Sequence, residues 1–242
     1  MNLQAQVGKT TTALNLAYAL ALMTQRVTLI DLDPESQLTK DCGIDGARSG
    51  IDKVLLEELP LLETKVTLAD GLDVVPSGDN LMAYEQQEQG GMSRGYQLKR
   101  AIDKIKQQDF ILIDCTAKPG LLALNALLAA DEVLIPTKGS YISLQGLVRV
   151  IKLCKRLKLT TGSKKVWLAL TQVTPSSLVT QKIKSKLLHY FPGRVLNTIV
   201  RHDKALPECR HQGKAIFDYQ QDGLAAEDYF SLAQDIIEGR VS

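Results

Sequence analysis

The chain has 242 residues, 45% apolar and 23% charged, an ordinary balance for a globular α/β protein with an ample core. Its four cysteines, Cys42, Cys115, Cys154 and Cys209, form no Cys-x-x-Cys pair, which argues against a zinc site or a disulfide framework and fits a reducing compartment. The net charge of +2 hides a strong asymmetry: residues 149–214 hold 15 Lys and Arg against Asp203 and Glu208, a net of +13, so the rest of the chain carries −11.

In chain order, Val7-Gly-Lys-Thr-Thr-Thr12 reads as the end of a phosphate-binding loop. A Lys after Gly can reach a β- or γ-phosphate, the adjacent Thr10 hydroxyl can ligate Mg²⁺, and the backbone N–H groups opening the next helix add a positive end. The full phosphate-loop pattern wants a Gly where Leu3 stands, so the loop alone is a weak signal. No signal peptide is expected ahead of it. An Ala/Leu-rich helix follows from Thr10 to Met23, then a buried strand from Arg26 to Asp33 ending in two acids. Residues 35–70 are mixed, with one helix expected around Asp52 to Leu59. Leu72 to Pro76 reads as a short strand, and the Gln/Glu/Gly-rich stretch from Met82 to Met92 as a mobile, exposed connection. The pattern then predicts an amphipathic helix over 94–107, a strand over Phe110–Asp114, a helix over 119–129 and a strand over 132–136. A helix over 143–158, a strand over 166–173, a helix over 176–191, a strand over 195–200, and helices over 203–212 and 223–239 complete the chain. The longest apolar run, Leu121 to Ala130, is broken by Asn125 and is about half a membrane span.

Strands alternate with helices throughout, and the strands are continuous Val/Ile/Leu runs. That pattern predicts an α/β fold: a doubly wound, mainly parallel sheet covered on both faces, in a single domain spanning residues 1–242. In such sheets ligands sit at the carboxyl ends of the strands. Asp31, Asp33 and Asp114 stand at or just past those ends; beside a Gly-Lys-Thr loop they point to Mg²⁺ and water handling, the plainer reading being turn residues.

Four ordered blocks carry a resemblance: Gly8 to Ala21, Leu29-Ile-Asp-Leu-Asp-Pro34, Asp109-Phe-Ile-Leu-Ile-Asp-Cys115, and Gly120 to Pro136. With Thr198-Ile-Val-Arg201, Gly213-Lys214 and Gly223 to Tyr229 they make the chain similar, over nearly its whole length, to the ParA/MinD family, and within it to the Soj-like partition ATPases. The resemblance implies a deviant phosphate-loop ATPase using ATP and Mg²⁺, an ATP-dependent homodimer, non-specific DNA binding, a ParB-type partner and a cytoplasmic, nucleoid-associated location. Carried over by position, Val7, Gly8, Lys9, Thr10 and Thr11 would cradle the nucleotide, with Thr10 on the metal. Asp33 would position the attacking water, and Asp114 would reach Mg²⁺ through water. Arg201 would lie near the adenine or on the DNA-facing side.

Departures from the family pattern are equally specific. The family loop runs Lys-Gly-Gly-x-Gly-Lys-Thr, and here its first three positions are Gln4, Ala5 and Gln6. The missing lysine is the one that crosses to the partner subunit's phosphates, and a neutral Gln cannot replace it. The family also has a strand of about eight residues ahead of the loop, inside the sheet, whose loss would leave neighbouring backbone groups unpaired. Either the natural start lies upstream of Met1 or something else fills the gap. After Asp114, Thr116-Ala-Lys118 replaces the family's Pro-Pro-Ser, altering a switch loop. These departures leave a second reading open: a degenerate, non-hydrolysing DNA-binding scaffold on the same fold.

In the basic stretch 149–214, Arg149, Lys152, Lys155 and Arg156 share a helix face, while Lys182, Lys184 and Lys186 fan over a wide arc. With few aromatics among them, phosphate contact without base reading is expected, and Arg149, Lys152, Lys182, Lys184, Lys186, Arg201 and Lys204 are the candidate DNA contacts. Solvated helix faces are the plainer reading. The acidic C-terminal helix lacks the pattern of a membrane anchor, so no membrane partner is expected, and its Tyr229, Phe230 and Leu232 read as core. His189, His202 and His211 show no ligand spacing.

Overall fold

In the computed structural model, which describes residues 1–2, 4, 6–44, 49–87, 91–156 and 164–242, the run Val27–Leu32 forms strand β1 with all six residues buried. Burial on both faces is what a continuous apolar strand requires. Strands β2 (Val66–Ala69), β3 (Leu72–Val75) and β4 (Phe110–Cys115) join it in the order β2-β3-β1-β4. A second sheet holds β5 (Glu132–Lys138), β6 (Lys165–Val173) and β7 (Val195–Arg201) in that order. All pairings are parallel except β2 with β3, a hairpin turned by Asp70 and Gly71, whose φ of 72° is a left-handed conformation that suits Gly. The helices are α1 (Lys9–Leu22), α2 (Gln37–Asp41), α3 (Ile51–Glu57), α4 (Leu81–Gln86), α5 (Gln97–Ile102), α6 (Leu121–Ala129), α7 (Tyr141–Arg156), α8 (Leu178–Tyr190), α9 (Ala205–His211), α10 (Ile216–Tyr219) and α11 (Leu224–Glu238).

Successive strand residues feed opposite layers. Leu29 packs with Leu16, Leu20, Val74 and Ala233 under α1 and α11, while Ile30 packs with Val54, Val75, Leu98 and Leu122 under α3, α5 and α6. In the second sheet, Leu168 and Leu170 pack with Leu147, Val150 and Ile183 of α7 and α8. On its other face, Trp167 and Ala169 meet Leu206 of α9 and Tyr229 and Leu232 of α11. The sheet is mainly parallel and covered on both sides, the doubly wound arrangement expected from the sequence.

The strands form two separate sheets. Among the described residues β4 pairs only with β1 and β5 only with β6, so their facing edges border a slot. A cavity of about 130 Å³ occupies it, lined by Ile111 and Ile113 of β4, Ala13 and Leu16 of α1, and Val133 and Leu134 of β5. Met1 caps one end: its amine donates to the Leu134 carbonyl, and the Asn2 amide donates to the Pro136 carbonyl at 2.8 Å. Enclosure pushes the Met1 ammonium below its usual pKa.

Several expectations need correction. The stretch read as an exposed connection forms α4 over its first part, because Leu81 and Tyr84 are buried; residues 88–90 lie outside the described ones. The helix expected over 94–107 is only six residues long, preceded by a 3₁₀ turn from Gly91 to Tyr96. Arg94 is buried: its guanidinium lies 4.5 Å from the Tyr84 ring and donates to the Tyr84 carbonyl, and the Asn125 side chain accepts the Leu98 N–H at the true helix start. The 143–158 helix runs from Tyr141 to Arg156, and its expected last two residues lie outside the described ones. Phe230 is 38% exposed, unlike buried Tyr229 and Leu232. Strand β2 and helices α2 and α10 were not anticipated.

Candidate nucleotide site

Gly8 precedes α1 with φ 83°, a left-handed conformation that favours glycine, and a Cβ there would meet the tip of the Gln172 side chain, Nε2, at 2.9 Å. Its carbonyl accepts the Thr12 N–H at 2.8 Å, starting the helix. Val7 is buried, and its carbonyl accepts the Thr171 hydroxyl at 2.9 Å. Thr171, near the end of β6, therefore holds the loop, and the Gln172 side chain lies against Gly8. Sequence reasoning missed them; the signal available was two polar residues at the carboxyl end of an otherwise apolar strand. Lys9 Nζ donates to the Gln4 carbonyl at 3.2 Å. Gln6 adopts φ 58°, a left-handed conformation that costs a non-glycine residue about 1 kcal/mol or more. Ala5 and Leu3 lie outside the described residues.

Behind the loop, Asn15 bridges α1 to α10, donating to the Thr11 carbonyl and accepting the Ile216 N–H, each at 2.8 Å. Thr12 and Tyr229 share a hydroxyl contact of 3.4 Å, which ties α1 to α11.

The acids assemble at the ends of β1 and β4, where Asp31 and Asp114 are register partners. Asp114 is buried, and burial outweighs its Thr10 hydrogen bond and the Lys9 charge, pushing its carboxyl up to about 7. Asp31 is also buried, which pushes it up to about 6 against the pull of its hydrogen bonds. One of its oxygens accepts the Thr39 N–H at 2.9 Å and the Thr39 hydroxyl at 2.6 Å; the other accepts the Asp33 N–H at 3.2 Å. Asp31 thus organises the turn after β1. Asp33 is half-buried, and its own carboxylate accepts the Glu35 N–H at 3.1 Å. Across the surface, Lys118 lies 3.7 Å from Glu35, an exposed pair joining the turns that follow β4 and β1.

Thr10, Lys9 and Asp114 are brought together, with Val7, Gly8 and Thr11 in the loop itself. Arg201 is engaged elsewhere: Asp228 accepts from its Nε at 2.9 Å and its Nη2 at 2.6 Å, and Glu227 from Nη2 at 2.8 Å. Arg149, Lys152, Lys182, Lys186 and Lys204 are exposed and Lys184 is half-buried; they belong to α7, α8 and the start of α9. His189, His202 and His211 are exposed. No helix among the described residues is long and apolar enough to cross a membrane.

Known proteins share this plan. Residues 1–166 match the model of the AAA-domain family. The chain is 32% identical over 241 residues to the sporulation initiation inhibitor protein Soj of Bacillus subtilis, covering 97% of this chain and 95% of that protein. It is also 32% identical over 243 residues to the chromosome partitioning protein ParA of Myxococcus xanthus, covering 98% and 86%. The chain belongs to the ParA/MinD family. At the level of fold, this ParA/MinD member superposes with a TM-score of 0.83 on a cobyrinic acid a,c-diamide synthase from Mycobacterium smegmatis with bound ADP and magnesium, at 23% identity over 98% of this chain and 92% of that one. A plasmid partition protein from Borrelia burgdorferi gives 0.77 at 20% identity, over 98% and 96%.

Proposed function

We propose that this chain is a ParA-type ATPase that works in partition of plasmid or chromosomal DNA, or in positioning another cargo on the nucleoid. The observation that carries the reading is the convergence of Lys9, Thr10 and Asp114 at the carboxyl ends of β1 and β4, beside the left-handed Gly8. A hydroxyl and a buried carboxylate form a hard oxygen donor set that fits Mg²⁺, and a carboxyl held near 7 by burial is one that a nearby cation would ionise. Mg²⁺-ATP would supply the transferable γ-phosphoryl group and a neutralising charge. The chain's own residues do the rest. The loop N–H groups and Lys9 would hold phosphate, Thr10 would ligate the metal and Asp114 reach it through water, and Asp33 would position a water. Positioning and charge neutralisation are most of what this chemistry asks of a protein.

ATP-dependent pairing of two copies, hydrolysis stimulated by a ParB-type partner, and cytoplasmic, nucleoid-associated action follow the family. DNA contact would run through Arg149, Lys152, Lys182, Lys184, Lys186 and Lys204, with affinity falling as salt rises because phosphate contact releases counterions. A second reading, a DNA-binding scaffold that does not hydrolyse ATP, draws on Gln4, Ala5 and Gln6, and on the Gln4 carbonyl that engages Lys9. Calorimetry of ATP binding, with Lys9→Ala as control, tests the nucleotide site; ATP turnover separates enzyme from scaffold.

A further inference from the structure

Helices α7 and α8 each carry more apolar surface than the sheet beneath them covers. Val150, Cys154 and Ile183 face β5 and β6. Beside them on α7, Leu144, Leu147, Val148 and Ile151 follow the i, i+3, i+4, i+7 spacing of one helix face, Leu147 buried against the sheet and Val148 turned outward. With Tyr190 of α8 and Phe191 just past its end they line a groove of about 520 Å³. Val148 is 45% exposed and Tyr190 69%, so the groove is open to solvent at these two residues, above the buried Leu147 and Leu187.

The groove's polar edge is entirely basic. Lys152, Lys155 and Lys186 border it, and no carboxylate does. None of the three has a salt-bridge partner among the described residues; Lys186 lies 5.1 Å from the Tyr141 ring instead. Nor can a neighbour in sequence neutralise them, because no Asp or Glu occurs between Glu132 and Asp203. An apolar floor at two-turn helical spacing, edged by unpaired lysines, is complementary to an amphipathic helix with acidic flanks. A DNA backbone matches the lysines and leaves the floor uncovered.

We propose that the α7–α8 groove is a docking site for an acidic amphipathic helix of a protein partner. Two hydrophobic anchors about one turn apart would enter between Val148, Ile151 and Tyr190, and Glu or Asp beside them would face Lys152, Lys155 and Lys186. The apolar anchors supply affinity and the charges supply orientation and rate. The site requires neither nucleotide nor hydrolysis.

The test uses the whole chain and a fluorescent synthetic peptide of about 18 residues, with Leu at i, i+3, i+4 and i+7 and Glu on the flanks. Anisotropy is expected to show saturable binding with one peptide per chain. Val148→Asp and Tyr190→Ser, both exposed sites whose melting should match the parent, are each expected to weaken binding about tenfold or more. A peptide with the Leu positions changed to Ser, and one with Glu changed to Lys, are expected not to bind. Absence of saturable binding would overturn the proposal, as would equal binding of the Ser peptide or indifference to both substitutions. Loss of duplex DNA binding, or of binding to phosphatidylglycerol vesicles, in Val148→Asp and Tyr190→Ser with peptide binding intact would assign the groove to those ligands instead.

Discussion

Asp114 and Asp31 make the site sensitive to pH in the direction opposite to ordinary carboxylates. Their folded-state pKa values, about 7 and about 6, lie above the usual 3.8, so the folded chain binds protons more tightly than the unfolded chain. Their contribution is fully present below pH about 4 and is lost as pH rises towards 7, where two buried carboxyls must ionise side by side. Asp114→Asn removes one of these charges. At pH 8 and without nucleotide, it is expected to raise stability by on the order of 2 kcal/mol, read as a higher denaturation midpoint, while abolishing turnover. A lower midpoint at pH 8 would show that the carboxylate is well solvated there. In the parent chain, binding of Mg²⁺-ATP should weaken below pH about 7 and release protons on binding, which calorimetry in buffers of different ionisation enthalpy measures.

At the scale of elements, the N-terminal segment and α7 depend on one close approach. A Cβ on Gly146 would meet Asn2 Oδ1 at 2.2 Å and Gln4 Cβ at 2.7 Å. In an unconstrained helix, Gly→Ala stabilises by about 0.5–1 kcal/mol. Here Gly146→Ala is expected to destabilise by about 1–3 kcal/mol, because Asn2 must leave the Pro136 carbonyl and Gln4 must shift with the carbonyl that holds Lys9. Thermal denaturation decides between the two signs.

The elements also mark where local sequence suffices. Strands β1, β4 and β6 are legible because buried parallel strands are continuous apolar runs. Lys9, Thr10 and Asp114 are legible because strand-end chemistry has a local pattern. The shortened α5 is not, since Arg94 turns inward to Tyr84, a partner ten residues away whose presence no helical periodicity reports. Nor are Thr171 and Asn2, whose contacts to Val7 and Pro136 span 164 and 134 residues. The β2–β3 hairpin had a readable signal in Asp70-Gly71 that the apolar pattern overshadowed. Arg201 matched a family block, yet Asp228 and Glu227, which engage it, come from a helix 26 and 27 residues later.

Over the whole molecule, the divided sheet is the dominant feature. β4 is bonded on one side to β1 and faces the slot on the other. Native-state hydrogen exchange should therefore alternate along Phe110–Cys115: amides directed at β1 protected to near the global stability, and intervening amides exchanging about a hundredfold faster or more. Uniform protection along β4 would mean that the slot is closed in solution. The α1–α11 layer then matters most, because α11 packs beside α1 on the first sheet and beneath β7 on the second, and so joins the two halves.

The loop that carries Lys9 and Thr10, with Gln4 ahead of it, is expected to support hydrolysis. Steady-state ATP turnover with Mg²⁺, with and without duplex DNA, compared with Asp33→Ala, tests it most directly. Turnover is expected to exceed that of the Asp33→Ala variant by at least about tenfold. Turnover equal to that variant, in a chain that still binds ATP, would contradict it and leave the non-hydrolysing scaffold.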